Sequence, residues 1–257
     1  MKPKVKLMHG NCLDEMKKIP DNFVDLVVCD PPYGTTNFEW DSVIDFGAMW
    51  GELERICKPN ATIVLFGVAM FSVRLICSKE KWYKYSLIWA KSQAGTPTVA
   101  KFRPMPTHED VLVFTVGGGK HGVYNPQMTE GKAYSKVKGE GRAVRKNDHW
   151  KGYIKPITKE YGAERYPRSI LEYARDGNLV HPTQKPVELL KWLINSYSNE
   201  NDVVLDFTMG SGSTGVAAVK TKRRFIGIEL SDEYFPICQK RIADAIADGT
   251  PTTKKLL

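Results

Sequence analysis

Continuous apolar runs of strand length are the feature that most constrains the fold of this chain. Each run places apolar residues on both sides of an extended segment, so it has to be covered on both faces, as strands of parallel sheets are. Four such runs are FVDLVVCD (23–30), ATIVLFG (61–67), DVLVFTV (110–116) and VVLDF (203–207). Segments with apolar positions at helical spacing, such as 42–57 and 187–197, lie between them. The pattern predicts an α/β fold, with an open, mostly parallel sheet and helices on both faces.

Shorter segments extend this alternation to both ends of the chain. Further strands are predicted at 5–9, 85–90 and 225–230, and further helices over DEMKKI (14–19), 69–79 and 232–246. Asn11 is a plausible N-cap for the first helix. The stretch VGGG (116–119) marks a boundary, because the residues beyond it are polar, punctuated by glycine and without a sustained period. We therefore divide the chain into 1–119, a loop-rich insertion at 120–180, and 181–257.

Positive charge is concentrated around this insertion. The whole chain of 257 residues has a net charge of +8, and residues 117–180 hold thirteen Lys or Arg against seven Asp or Glu. Tyrosines and a tryptophan are interleaved with these cations. Such a surface can neutralise phosphates and stack on bases. An ordinary solvated, loop-rich insertion has the same composition, and both interpretations remain open from composition alone.

Several classes of protein are disfavoured by composition. No apolar run approaches the roughly 20 residues needed to cross a bilayer, and the start of the chain has no signal-peptide pattern. The five cysteines are scattered, which fits reduced thiols in the cytoplasm. The histidines do not cluster, so we expect no metal site.

A glycine-rich turn, LDFTMGSGSTG, follows the strand at 203–207. Gly210, Gly212 and Gly215 match G-x-G-x-x-G, and Glu229 ends the next strand, where it can accept hydrogen bonds from two ribose hydroxyls. A dinucleotide dehydrogenase is one candidate. However, the carboxylate of Asp206 would repel a pyrophosphate, whereas it suits a ligand with an ammonium group. S-adenosylmethionine has that group, a ribose and no phosphate. A tight strand–helix turn with no ligand is the structural alternative.

A second motif, VCDPPYG (28–34), ends the strand at 23–30. The two prolines make the chain after Asp30 stiff and extended. The Asp30 carboxylate and the Pro31 carbonyl are two acceptors that suit the two hydrogens of an exocyclic amino group, and Tyr33 offers a flat face to a ring. These residues describe a socket for a base that carries an NH₂ group. A simple strand-ending turn is the alternative.

Together the two motifs resemble those of nucleic-acid amino-methyltransferases. In that family D-P-P-Y is the catalytic motif, and a turn like Asp206–Gly212 holds S-adenosylmethionine. The motif order here, with DPPY first and the glycine turn last, resembles the β group of DNA amino-methyltransferases. The segment HPTQKP (181–186) is typical of that group, and RPMPTHE (103–109) resembles a segment near the target base. The resemblance implies a Rossmann-like methyltransferase fold with permuted motif order, and residues 120–180 as its target-recognition insertion.

Functional residues follow from the resemblance and from the chemistry of the two motifs. The expected catalytic residues are Asp30, Pro31, Pro32 and Tyr33. The expected cofactor-binding residues are Asn11, Cys12, Asp30, Thr183, Lys185, Asp206, Phe207, Gly210, Ser211, Gly212, Ser213, Thr214 and Glu229, with Thr183 and Lys185 as partners of the cofactor carboxylate. The candidate DNA contacts are Lys136, Lys138, Arg142, Arg145, Lys146, Arg165 and Arg168.

The implied reaction is methyl transfer from S-adenosylmethionine to N6 of an adenine flipped out of double-stranded DNA. Cytosine-N4 methylation needs the same geometry, although members of that kind often carry Ser in place of Asp30. RNA and protein-glutamine methyltransferases typically have Asn there. A non-catalytic DNA-binding protein that retains the cofactor fold is a further alternative. A homodimer and a partner restriction nuclease in a bacterial or phage-infected cell are partners that the resemblance suggests.

Overall fold

The computed structural model describes residues 4–34, 42–95, 97–119, 122–138, 144–146, 150–152, 157–177 and 184–248. The chain separates into two compact units. One comprises Met1–Asn125 with Ser169–Leu257, and the other comprises Pro126–Arg168. Arg168 therefore closes the second unit, twelve residues before the expected end of the insertion at residue 180. None of the helices in the described ranges could span a membrane.

The first unit is built on one eight-stranded sheet. Its strands are β1 (Val5–His9), β2 (Val24–Cys29), β3 (Cys57–Gly67), β4 (Tyr83–Ala90), β5 (His108–Thr115), β12 (Ile170–Glu172), β13 (Val203–Asp206) and β14 (Arg224–Glu229). They lie in the order β1-β14-β13-β2-β3-β5-β4-β12. Within the described residues, β5 is the strand that runs antiparallel to its neighbours, so the predicted mostly parallel sheet is confirmed. The strand β12, which the sequence analysis placed inside the insertion, pairs parallel with β4.

Six helices cover the two faces of this sheet. They are α1 (Cys12–Met16), α2 (Phe46–Ile56), α3 (Ala69–Ser78), α4 (Val187–Tyr197), α5 (Ser213–Lys220) and α6 (Tyr234–Asp248). The first three pack on one face and the last three on the other. Alternate residues of β2 divide accordingly, because Val27 and Cys29 face the first layer whereas Leu26 and Val28 face the second. Both faces are thus buried, which explains the unbroken apolar run and confirms the predicted helices on both faces.

The second unit consists of three antiparallel strand pairs. Strand β6 (Thr129–Glu130) pairs with β11 (Glu164–Arg165), β7 (Tyr134–Lys138) with β10 (Ile157–Tyr161), and β8 (Val144–Lys146) with β9 (Trp150–Gly152). The sequence analysis had read this region as loops. Two-stranded ribbons bury little apolar surface, so their sequences lack the alternation by which strands are recognised.

Candidate active site

The two motifs meet where the halves of the chain join in the sheet. Strands β2 and β13 are parallel neighbours, with Val204 opposite Leu26 and Leu205 opposite Val27. Their carboxyl ends therefore lie side by side, at the edge where open α/β sheets bind ligands. The Thr208 hydroxyl donates a 3.0 Å hydrogen bond to the Asp30 carbonyl and lies 2.9 Å from the Cys29 thiol. The DPPY segment and the glycine turn are thus joined directly.

Packing and hydrogen bonding hold the DPPY segment in place. Pro31 is buried, and the Tyr33 ring packs against Phe71 with a centroid separation of 4.8 Å. The Tyr33 hydroxyl donates to Asp30 Oδ1 at 2.5 Å. Burial, reinforced by the Asp30 charge, raises the pKa of Tyr33 well above its ordinary value, so the phenol stays a hydrogen-bond donor. The sequence analysis expected this ring beside the two acceptors, and the structure places it there.

A chain of alternating charges runs from Asp30 into the protein. The Lys185 ammonium forms ion pairs with Asp30 Oδ2 and, at 3.2 Å, with Glu109 Oε2, and Glu109 Oε1 pairs with Lys91. The exposed fractions of the Lys185 and Glu109 side chains are only 7% and 10%. Buried charges need such partners because they have lost their hydration. The chain fixes the Asp30 carboxylate on the side opposite to its bond with Tyr33.

The pKa values in this chain follow from burial and from the order of the charges. Burial raises the pKa of Asp30, against the opposing effect of Lys185. For Lys185, burial acts to lower the pKa, but the attraction of Asp30 and Glu109 outweighs it and raises the pKa. For Glu109, burial is outweighed by the two lysines and the pKa is lowered. Lys185 therefore remains a cation and Glu109 an anion.

The glycine turn combines two kinds of glycine. Gly210 and Gly212 have φ values of +50° and +80°, which favour glycine. Gly215 has an ordinary φ, but a Cβ there would lie 2.4 Å from Ile242 Cδ1, so it serves the packing of α5 against α6. Arg241 donates hydrogen bonds to the Ser211 carbonyl at 2.7 Å and to the Ser211 hydroxyl at 2.8 Å. The last helix therefore fixes the turn.

Glu229 ties the end of β14 to the same turn. Its Oε2 accepts from the Gly210 N–H at 2.7 Å and its Oε1 from the Ser231 N–H at 2.8 Å. Each carboxylate oxygen has two lone pairs, so a second hydrogen bond to each is available for a ligand hydroxyl. The exposed fraction of Glu229 is 8%, and it lines the cavity described below.

Asp206, at the end of β13, is a buried carboxylate that suits a cationic ligand group. Burial raises its pKa to about 7, although the Thr214 hydroxyl and the Thr208 N–H oppose the shift. Among the residues that the structure describes, no cation lies within ion-pair distance of it. A ligand ammonium would supply the missing countercharge, as the cofactor expected from the sequence does.

A single cavity of about 370 Å³ connects these groups. This volume lies within the usual range of small-ligand sites. Residues of both motifs line the cavity, together with the segment that follows β1: Gly10, Asn11, Cys12, Leu13, Asp30, Pro31, Pro32, Tyr33, Lys185, Asp206, Phe207, Thr208, Gly210, Ser211, Ser213, Thr214 and Glu229. The residues present thus fit S-adenosylmethionine, with Glu229 for the ribose and Asp206 for the ammonium.

Comparison with known proteins identifies the family. The DNA methylase family model of N6 and N4 methyltransferases matches residues 24–240. The chain belongs to this family. The DNA adenine methyltransferase YhdJ of Escherichia coli K12 is 31% identical over 254 residues, which are 92% of this chain and 82% of that protein. The type II methyltransferase M.HpaI of Haemophilus parainfluenzae is 27% identical, over 92% of this chain and 74% of that protein.

Solved structures confirm the fold of this DNA methyltransferase. The M1.HpyAVI–SAM complex superposes with a TM-score of 0.64 at 24% identity, over 93% of this chain and 98% of that chain. The cytosine-N4-specific PvuII DNA methyltransferase gives 0.66 at 16% identity, over 96% and 94%. The predicted methyltransferase fold is confirmed, and S-adenosylmethionine is the cofactor of the family.

Several predicted site residues of the methyltransferase have a different or additional place in the structure. The Asn11 side chain accepts from the Leu13 N–H at 2.9 Å and caps α1. Lys185 was expected at the cofactor carboxylate, but its ammonium lies between Asp30 and Glu109. Thr183 lies outside the described residues. Glu109 closes the segment RPMPTHE, but its pairing with Lys185 depends on contacts across the sheet that no local pattern reveals.

The predicted DNA contacts belong to the second unit or fall outside the description. Lys136 and Arg168 are exposed. The Arg165 guanidinium lies 4.7 Å from the Tyr134 ring centroid and donates to the Gly162 carbonyl at 2.6 Å. Arg142 and the side chains of Lys138, Arg145 and Lys146 lie outside the described residues. The role of this set in DNA binding stays a prediction.

Proposed function

We propose that this DNA methyltransferase methylates N6 of adenine in double-stranded DNA, with the target base flipped into the cavity beside Asp30. The observation that carries the proposal is the pairing of the Asp30 carboxylate with the Pro31 carbonyl and the Tyr33 ring, in the same cavity as Asp206 and Glu229. A carboxylate at this position favours adenine, since cytosine-N4 enzymes often carry Ser there. The name of YhdJ, a DNA adenine methyltransferase, agrees with this assignment.

In the proposed reaction, Asp30 and the Pro31 carbonyl each accept one hydrogen of the amino group. Both oxygens of Asp30 already accept a bond, from Tyr33 and from Lys185, and each keeps a second lone pair. Holding the two hydrogens frees the nitrogen lone pair, which is otherwise delocalised into the ring. When bound, S-adenosylmethionine supplies an electrophilic methyl group. Catalysis of this kind depends on positioning and electrostatics.

Charge also has to be managed after the transfer. The methylated nitrogen carries a positive charge until it loses one proton, and the Asp30 carboxylate faces it throughout. Burial raises the pKa of Asp30, which makes it a better acceptor for that proton than an exposed aspartate. Tyr33 stacks on the base, a contact worth about 1–3 kcal/mol in single-strand binders.

Nucleoside analysis tests the proposal directly. DNA from cells that express the protein is digested and assayed for N6-methyladenine and N4-methylcytosine, and modification-sensitive sequencing locates the site. We expect N6-methyladenine in a fixed sequence context. N4-methylcytosine alone would contradict the adenine assignment and would favour the chemistry of the PvuII enzyme. The Asp30→Ala variant is the matched control, because we expect it to bind the cofactor and to leave DNA unmethylated.

The biological setting is also a proposal. We propose that the protein acts in the bacterial cytoplasm, where its DNA substrate lies, and that it has a partner restriction nuclease, as the type II names of M.HpaI and M.HinfI suggest. Homodimer formation stays a prediction. A cell that loses this gene and survives with unmodified sites would contradict the presence of an active partner nuclease.

A further inference from the structure

The chain between β4 and β5 emerges beside the catalytic acid. Strands β3 and β4 are both antiparallel to β5, so β4 ends and β5 begins at the sheet edge where Asp30 lies. Lys91, just after β4, pairs with Glu109 in β5, and Glu109 pairs through Lys185 with Asp30. Both ends of the connection are therefore fixed in the charge chain of the active site. We call residues 97–107 the tip loop.

The tip loop has a defined backbone. At its base, the Lys91 N–H donates to the Thr107 carbonyl at 2.8 Å and the Gly95 N–H to the Pro106 carbonyl at 2.9 Å. Pro97–Val99 forms a 3₁₀ turn, and the N–H groups of Phe102 and Arg103 donate to the Val99 carbonyl at 2.9 and 3.0 Å. These bonds hold the side chains at the tip in fixed positions relative to the loop's ends.

The side chains at the tip combine positive charge with exposed apolar surface. Phe102 is 88% exposed, more than any other large hydrophobic residue in the described ranges, and Met105 is 40% exposed. Lys101 and Arg103 flank Phe102 and are also exposed. Residues 91–107 contain three cations and no carboxylate. A partner for this surface has to offer negative charge beside flat apolar groups, which is the chemistry of DNA phosphates and stacked bases.

We propose that Phe102 enters the base stack of the duplex beside the flipped target base, while Lys101 and Arg103 contact the flanking phosphates. Apolar side chains such as Phe, Met and Pro are the ones that enter between base steps and unstack them. By filling the opened stack, Phe102 keeps the target base out of the duplex and available to Asp30. The inference rests on the proposed methylation of duplex DNA and assigns the opening of the duplex to the tip loop.

Two duplexes that differ only opposite the target base test this assignment. One carries the site found by sequencing with a normal pair, and the other carries an abasic residue opposite the target, so that the base is already unpaired and cheaper to flip. Single-turnover methylation is measured with S-adenosylmethionine in excess. We expect Phe102→Ala to lose at least about tenfold in rate on the paired duplex and less than about twofold on the abasic one, a difference of at least about fivefold between substrates.

Three variants separate insertion from other roles. Phe102→Trp retains a large flat side chain and should keep the wild-type ratio of the two rates. The double variant Lys101→Ala with Arg103→Ala should weaken binding to both duplexes equally and reduce the salt dependence of affinity. Phe23→Ala should leave the ratio unchanged, since Phe23 precedes β2 at the opposite edge of the sheet and is 37% exposed.

The possible outcomes are distinguishable. An equal loss on both duplexes, or no loss on the paired one, overturns the role of Phe102 while methylation by the wild-type protein stands. A shift of the ratio in Phe23→Ala as large as in Phe102→Ala also overturns it. A wild-type protein that methylates neither duplex overturns the proposed function itself.

Discussion

Asp206 offers the sharpest quantitative test of the cofactor site. Its carboxylate is 3% exposed, and burial raises its pKa from the ordinary 3.8 to about 7. A rise of this size corresponds to about 4 kcal/mol in favour of the neutral form. The substitution Asp206→Asn keeps the shape of the side chain and removes the ability to ionise.

The direction of the pH effect follows from the raised pKa. Because the carboxyl of the folded protein holds its proton more tightly than that of the unfolded chain, stability falls as pH rises from 3.8 towards 7. Asp206→Asn should therefore raise the melting temperature of the ligand-free protein at alkaline pH and change it little at acid pH. A cofactor ammonium favours the charged carboxylate, so wild-type affinity should fall about tenfold per pH unit below 7.

Calorimetric titration with S-adenosylhomocysteine, which carries the same ammonium group, measures this effect. We expect binding to the wild-type protein to be roughly tenfold weaker at about pH 6 than at about pH 8. The Asp206→Asn variant should bind more weakly at about pH 8 and with a much flatter profile. The ligand amine itself loses its proton near about pH 8, but it does so equally for both proteins, so the ratio of their affinities isolates Asp206. Parallel profiles for the two proteins would refute the reasoning.

Three further predictions concern the rest of the site and the DNA surface. Lys185→Met removes the cation between Asp30 and Glu109, so kcat should fall on the order of 100-fold with little change in the KM for the cofactor; a large rise in that KM instead would support the role that the sequence predicts, at the cofactor carboxylate. Glu229→Ala should raise the KM for the cofactor far more than the KM for DNA, and equal changes would remove Glu229 from the ribose site. DNA affinity should fall steeply with salt, and neutralising Lys136 and Arg168 should reduce the slope of the logarithmic plot by about one for each phosphate that the variant no longer neutralises; a flat titration would contradict DNA binding by the second unit.

Most of the first unit could be predicted from the sequence. The strands at 5–9, 23–30 and 225–230 are confirmed within one residue at each end, because each is a buried run with clear breaks on both sides. The helices at 69–79 and 187–197 are confirmed in the same way. What these runs did not reveal is the direction of β5, since a strand buried on both faces has the same composition in either direction.

The insertion was harder to predict for a physical reason. Its strand pairs, such as Tyr134–Lys138 with Ile157–Tyr161, have exposed residues in place of a buried apolar face. Without that face, no alternation marks the strands. The charge of this region could be counted from the sequence, whereas its division from the first unit at Pro126–Arg168 could not.

The amino-acid sequence by itself determined the chemistry that is available: a stiff segment with two acceptors after Asp30, a glycine turn after Asp206, and an acid at Glu229. The tertiary structure alone decided how these groups work together. Parallel pairing of β2 with β13 brings Asp30 next to Thr208, although 178 residues separate them. The fold also removes Lys185 and Glu109 from water, and their charges then require each other and Asp30 as partners. Residue types follow from composition and local pattern, whereas the partners of a buried charge depend on which strands become neighbours.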